Sequence, residues 1–258
     1  MTNTTTQKKR WYTSLWFIAA ASAVAVFVIN WPSFILYIIS PFIQGWDGAG
    51  HASIGQYYAE HIFPSTWGWV TNWYTGMPFP QFYPPLFYFL LALIYNVIPV
   101  VSYTTTFKVF VILLQLLVPV ISVYFVGLRT DHRGPPILAG IFSVILCSSI
   151  FPEMGNSGVN VASTIHVGMV TQLLGYVLLV CWLHFFLQIE RSKKAQLLAG
   201  IFLFLTFLSN AHVNIVAGFL FVIIYLVSLG VVMRREKGWT KARFLAIGRH
   251  FGLYFLSG

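Results

Sequence analysis

Charge is scarce in this sequence: 6 of its 258 residues are Asp or Glu and 15 are Lys or Arg, so charged side chains make up 8% of the chain against 58% hydrophobic. With a mean hydropathy of +0.77, that balance excludes a soluble globular domain and makes the chain an integral membrane protein. Cysteine is scarcer still. Cys147 and Cys181 each lie inside an apolar run and read as small buried hydrophobes, which excludes a disulfide scaffold or a cysteine-built metal centre. Internal repeats and Pro- or Ser-rich linkers are missing, leaving one domain over 1–258. No basic stripe is interleaved with exposed aromatics in a soluble module, so nucleic acid is not an expected partner.

Apolar runs long enough to span occur at about 15–39, 107–128, 136–151, 167–188, 195–209 and 213–233. The first is too long for the apolar core of a signal peptide and has no small-residue cleavage site behind it, so a retained anchor is expected. A last run starts near Phe244 and has about 15 residues before Gly258, too few to cross ~30 Å of hydrocarbon. The expectation is therefore a truncated chain whose C-terminal part is missing.

One further run, Leu86 to Val101, is ambiguous, and charge decides it. If it spans and the N-terminus is cytoplasmic, only Lys8, Lys9, Arg10 and Lys108 lie inside, and the other 11 of 15 Lys and Arg lie outside. If it does not span, 14 lie inside and only Lys108 outside. The positive-inside rule selects the second arrangement. Residues 41–106 then form a large first outer loop ending in a membrane-hugging or re-entrant helix, and residues about 152–167 form a second. The net charge of +9 is concentrated in short cytoplasmic turns that meet anionic lipid.

The first outer loop gathers the rare polar groups. Between Pro41 and Pro85 lie Asp47 and Glu60, His51 and His61, and 4 of the 9 tryptophans. Ionisable residues retained in so apolar a chain point to function. Asp47 and His51 are spaced i, i+4 and share a face of a helix starting near Gly48. Asp47 alternatively serves as the N-cap of that helix. Glu60 and His61, at its far end, read as interfacial surface. The second loop brings Glu153 and His166, with Gly155, Gly158 and Gly168 allowing close backbone approach to a ligand. Glu153 reads equally as a polar helix cap, and His166 and His212 as interfacial histidines. Lys108 is the only strong cation on this side. The aromatic series from Trp67 to Tyr83 forms an interface belt, and its rings beside acids also suit a lipid headgroup or a sugar face. Three acids, four histidines and one lysine on one face favour a divalent cation or a proton over an unaccompanied anion.

A first span, an outer loop opening with Gly45-Trp46-Asp47-Gly48-Ala49-Gly50-His51, and a W/G/P-rich stretch closing in Phe82-Tyr83-Pro84-Pro85-Leu86 before an outer helix together resemble the GT-C superfamily of membrane glycosyltransferases. The likeness is closest to the 6-pyruvoyl-tetrahydropterin synthase-related membrane proteins and more distant to the oligosaccharyltransferase catalytic subunit. It implies an all-α, polytopic transmembrane helix bundle and a polyprenyl-phosphate-linked sugar donor used on the outer face of a prokaryotic plasma membrane. It further implies that an acid of the first outer loop acts as base or metal ligand, a role that falls to Asp47. His51, Lys108, Tyr83 and His166 are the expected substrate-binding residues. A divalent cation, Mg or Mn, would sit between Asp47 and Glu153, although the paired acidic motif of oligosaccharyltransferases is absent here. The alternative from another class is a transporter or lipid-handling protein with an outer acidic cation or proton site. Such a protein needs ionisable groups at mid-membrane depth, and the spans carry almost none.

Overall fold

The computed structural model describes residues 4–72, 75–80, 83–130, 132–148, 157–190, 192–235, 248–249 and 252. Among these residues the protein is all-α apart from one short hairpin. Its helices are α1 (Thr4–Ile29), α2 (Trp31–Ile39), α3 (Gly48–Tyr57), α4 (Leu86–Val97), α5 (Tyr103–Gly127), α6 (Gly134–Cys147), α7 (Val170–Phe186), α8 (Lys193–Ser209) and α9 (Ala211–Arg235). Single π-helical turns follow α3 at Tyr58–Ile62 and precede α7 at Ala162–Val167. The hairpin pairs β1 (Gly68–Val70) antiparallel with β2 (Met77–Phe79).

Helix α5 is the axis of the bundle. Ser102 caps it by accepting the Thr105 N–H, and its 25 residues extend roughly 37 Å, enough to cross a bilayer. Helix α9 is also long enough. The run read as one first span is instead a bent pair: α1 and α2 meet at 68°. The cause is local. Asn30 closes α1 by donating its side-chain amide to the Val26 carbonyl at 2.7 Å. Pro32, at the start of α2, supplies no N–H to continue the ladder and crowds the preceding turn.

Ring contacts fix the level of α1, α4 and α7 against α5. Trp16 of α1 lies 5.2 Å from Tyr124, and His184 of α7 stacks on Phe125 at 4.1 Å. Both contacts lie toward the end of α5 that leads to Arg129. Helix α4, at 12 residues, stays at the opposite, loop-bearing end. Its Phe87 lies 5.7 Å from Phe107, and its Tyr95 lies 5.5 Å from Tyr103, so it runs antiparallel beside the first turns of α5 only.

Helix α6 stops early. Gln115, the midpoint of α5, donates to the Cys147 carbonyl at 3.3 Å and to the Val159 carbonyl, and accepts from the Thr164 hydroxyl at 3.3 Å. The chain therefore leaves α6 halfway along α5, and the second loop folds back into the bundle instead of lying on top of it. Asn160, Ser163 and Thr164 are buried there and satisfied by one another, as non-helical backbone at such depth requires. Around the loop end, Tyr58 stacks on Phe79 at 4.5 Å, and Phe79 meets Tyr88 edge-on at 5.4 Å. Each fully buried ring contributes roughly 2–3 kcal/mol. This aromatic core holds the first loop against α4 and α5.

Candidate functional site at the loop end

Two glycines lock the first loop onto the second. Gly45 has φ +106°, and a Cβ there would lie 2.8 Å from the Ile165 carbonyl oxygen. Gly168 has φ +98°, and a Cβ would overlap the backbone nitrogen of Gly48. Neither position admits a side chain without displacement. The Asp47 N–H donates to the Val167 carbonyl at 2.8 Å, which pins the backbone of Asp47 to the π turn of the second loop.

Asp47 occupies the N-cap position of α3, yet its side chain accepts no capping hydrogen bond. The reason is its backbone: φ −91° and ψ −18° are helical, whereas a capping residue normally adopts extended angles that place its oxygen over the first N–H groups. The exposed carboxylate instead lines a cavity of about 290 Å³ with Trp46, Ala49, Gly50, His51, Ile54 and Tyr83.

His51 stands one turn along and is 5% exposed. Its Nδ1 is 2.6 Å from the Tyr88 hydroxyl, and its ring meets Tyr83 edge-on at 5.0 Å. Burial pushes His51 down from 6.5 to about 4, against a smaller upward pull from the Asp47 charge, so the ring is neutral at pH 7. When the Tyr88 hydroxyl donates to Nδ1, the ring carries its own proton on Nε2. The cavity thus combines a carboxylate, a fixed neutral imidazole and two aromatic rings.

The structure thus brings Asp47, His51 and Tyr83 together. His166 is exposed and lies one residue before the carbonyl that holds Asp47, so it joins the site through backbone and does not line the cavity. Lys108 sits elsewhere. It is 2% exposed, donates to the carbonyl of Ser40 at 2.5 Å, and lies 5.6 Å over the Tyr37 ring. Since Ser40 is the C-cap of α2, Lys108 satisfies a helix end. Glu153 lies outside the described residues. Glu60 is a surface residue held by Gln56 at 2.9 Å and lies 4.0 Å from His61. Among the described residues no three His, Cys, Asp or Glu side chains are grouped to hold a metal ion. Of the two residues expected to hold a metal, Asp47 is described and Glu153 is not.

Sequence reasoning selected neither Trp46 nor Tyr88. Trp46 is 92% exposed on the rim of the cavity, and its adjacency to Asp47 was a readable signal. Tyr88 reaches His51 across 37 positions, a separation that no local pattern reveals.

Residues 80–248 match the family described as 6-pyruvoyl-tetrahydropterin synthase related domain; membrane protein. The match includes Tyr83, Tyr88, Lys108 and the second loop, while Asp47 and His51 precede it. No curated protein and no solved structure matches the chain.

Proposed function

Starting from a chain that belongs to the 6-pyruvoyl-tetrahydropterin synthase-related family of membrane proteins, we propose that it transfers a sugar from a polyprenyl-phosphate-linked donor, with Asp47 as the base. The observation that carries this reading is the state of Asp47: a carboxylate at a helix start that caps nothing and faces a cavity. A group with no structural duty, placed beside a fixed neutral imidazole, is available to accept a proton.

In the proposed step the acceptor hydroxyl oxygen bonds to the anomeric carbon and gives its proton to Asp47. The bond from that carbon to the phosphate oxygen breaks, and the polyprenyl phosphate leaves with the electron pair. One displacement at one carbon inverts its configuration. Tyr88 holds the His51 ring in place, so its edge at the cavity is preset for a hydrogen bond to the substrate. Positive charge near the departing phosphate favours its release. Lys108 is engaged with Ser40. A Mg or Mn ion held by Asp47 and Glu153, with Asp47 then a ligand in place of the base, would supply that charge, and it belongs to the same proposal. So do the sidedness read from the 14-to-1 distribution of Lys and Arg, with the cavity on the outer face and the N-terminus in the cytoplasm, and a prokaryotic plasma membrane as the setting.

The test is a reconstituted transfer assay with polyprenyl-phosphate sugars as donors, read by product NMR. Transfer with inversion is expected, and Glu60→Gln should leave the rate unchanged because Glu60 lies away from the cavity. Retention of configuration would remove Asp47 from the base role.

A further inference from the structure

Helix α8 has two unlike faces. Ala195, Ala199, Thr206 and Ser209 are buried, and Ser209 donates its hydroxyl to the Thr171 carbonyl of α7 at 2.8 Å, so this face packs into the bundle. The other face carries a groove of about 530 Å³ lined, among the described residues, by Lys193, Gln196, Leu197, Gly200, Ile201 and Phe204. These positions recur every three or four residues and so form one stripe along the helix. The stripe is uneven. A cation and an amide stand at one end, and beyond them every side chain is apolar.

Its length matches one leaflet. From Lys193 to Phe204 the helix rises ~16 Å, close to half of the ~30 Å hydrocarbon core, so the stripe runs from headgroup level to about the bilayer midplane. Its relief suits a flexible chain. Leu197 and Phe204 stand exposed on either side of Gly200, where a Cβ would meet no atom of the described residues within 4 Å. The glycine thus leaves a dent between two bulky side chains, and methylenes lying in it touch protein on more than one side. At the polar end, the Lys193 ammonium favours a headgroup of net negative charge, and the Gln196 amide can donate to one of its oxygens.

We infer that this groove is a binding site for one anionic phospholipid, with its phosphate on Lys193 and Gln196 and one acyl chain over Gly200 between Leu197 and Phe204. With the sidedness proposed above, the lipid belongs to the cytoplasmic leaflet. Any lysine near a membrane surface attracts anionic lipid. What the groove adds is a fixed place for the chain, and the two effects are separable. The site shares no residue with the cavity at Asp47, so it stands whether or not the protein transfers a sugar.

The test is a lipid titration of the full chain in detergent, with phosphatidylglycerol and phosphatidylcholine of identical chains as probes and single bound lipids counted by native mass spectrometry. Phosphatidylglycerol should bind about fivefold more tightly, the contribution of one lysine near the headgroup. Lys193→Gln should remove that preference, whereas Lys194→Gln, at the exposed neighbour that does not line the groove, should keep it. Gly200→Leu should weaken both lipids about tenfold by taking the place of several methylene contacts. Its side chain enters open space, so the unfolding midpoint without added lipid should not move. Glycerol 3-phosphate, the headgroup without chains, should not displace phosphatidylglycerol at millimolar concentration. Equal affinity for the two lipids, equal losses from Lys193→Gln and Lys194→Gln, or binding untouched by Gly200→Leu would each overturn the site, and displacement by glycerol 3-phosphate would make it one for a soluble phosphate. A lower unfolding midpoint in Gly200→Leu, or a wild-type dimer that Gly200→Leu splits, would overturn it by showing that protein fills the groove.

Discussion

His51 is the residue whose environment has the clearest thermodynamic consequence. Its folded value of about 4 lies below the ordinary 6.5. Between those values the unfolded chain holds a proton that the folded chain refuses, so stability rises with pH across that window. The contribution is complete above about pH 6.5 and is lost as the pH falls through 4, on the order of 3 kcal/mol in all. Thermal unfolding of the detergent-solubilised protein should therefore show a midpoint that drops from pH 7 to pH 5, and His51→Gln should flatten that slope. An unchanged slope would place the titration elsewhere. Asp47 yields the complementary prediction. Removing a working N-cap costs ~1 kcal/mol, and because this carboxylate makes no capping bond, Asp47→Ala should leave the unfolding midpoint where it is. The i, i+4 relation of Asp47 and His51 was legible in the sequence because helical spacing is local. The duty of Lys108 was not, since a charge count does not show that the Ser40 carbonyl, 68 positions away, accepts its hydrogen bond.

Among the elements, the second loop departs furthest from what hydropathy indicates. The apolar run at 136–151 reads as a span reaching the outer face, but its helix ends at Cys147, level with Gln115. Hydropathy measures whether residues tolerate lipid and says little about where the backbone stops being helical. Ser148 and Ser149 were the local signal, as Asn30 and Pro32 were for the bend in the first run. Gln115 alone serves two carbonyls and one hydroxyl of the folded-back chain. Gln115→Leu would strand the Cys147 and Val159 carbonyls away from water, while the Thr164 hydroxyl keeps its bond to the Asn160 carbonyl, and each such loss costs ~1–3 kcal/mol. The expected result is a clear fall in unfolding midpoint, with the bundle otherwise intact. Gly168→Ala acts at the other end of the same element. Its new methyl would push on Gly48 and move Asp47, so transfer should fall much further than stability does. Equal losses in both would mean that the contact only holds the fold.

At the scale of the whole molecule, the membrane class was readable from composition alone, because no soluble core accommodates so apolar a chain. Sidedness rests on charge. Cysteines introduced at Ser65 and Ser102, which flank α4, should both react with an impermeant thiol reagent from outside the cell, and one at Thr130 only from the cytoplasm. Labelling of Ser65 and Ser102 from opposite sides would make α4 a span. The position of α4 beside only the first turns of α5 agrees with the first outcome. Long-range convergence was the least legible feature. Residues from the first loop, from α4 and from the second loop meet around Asp47, and nothing in any one of those segments announces the others. The central claim is that this convergence makes Asp47 a base for glycosyl transfer, and one comparison tests it most directly: release of polyprenyl phosphate by wild type and by Asp47→Asn in the same nanodiscs with the same donor. The account predicts a loss of roughly 10²–10⁴-fold, the range associated with a general base, at an unchanged unfolding midpoint; full transfer by Asp47→Asn would contradict it.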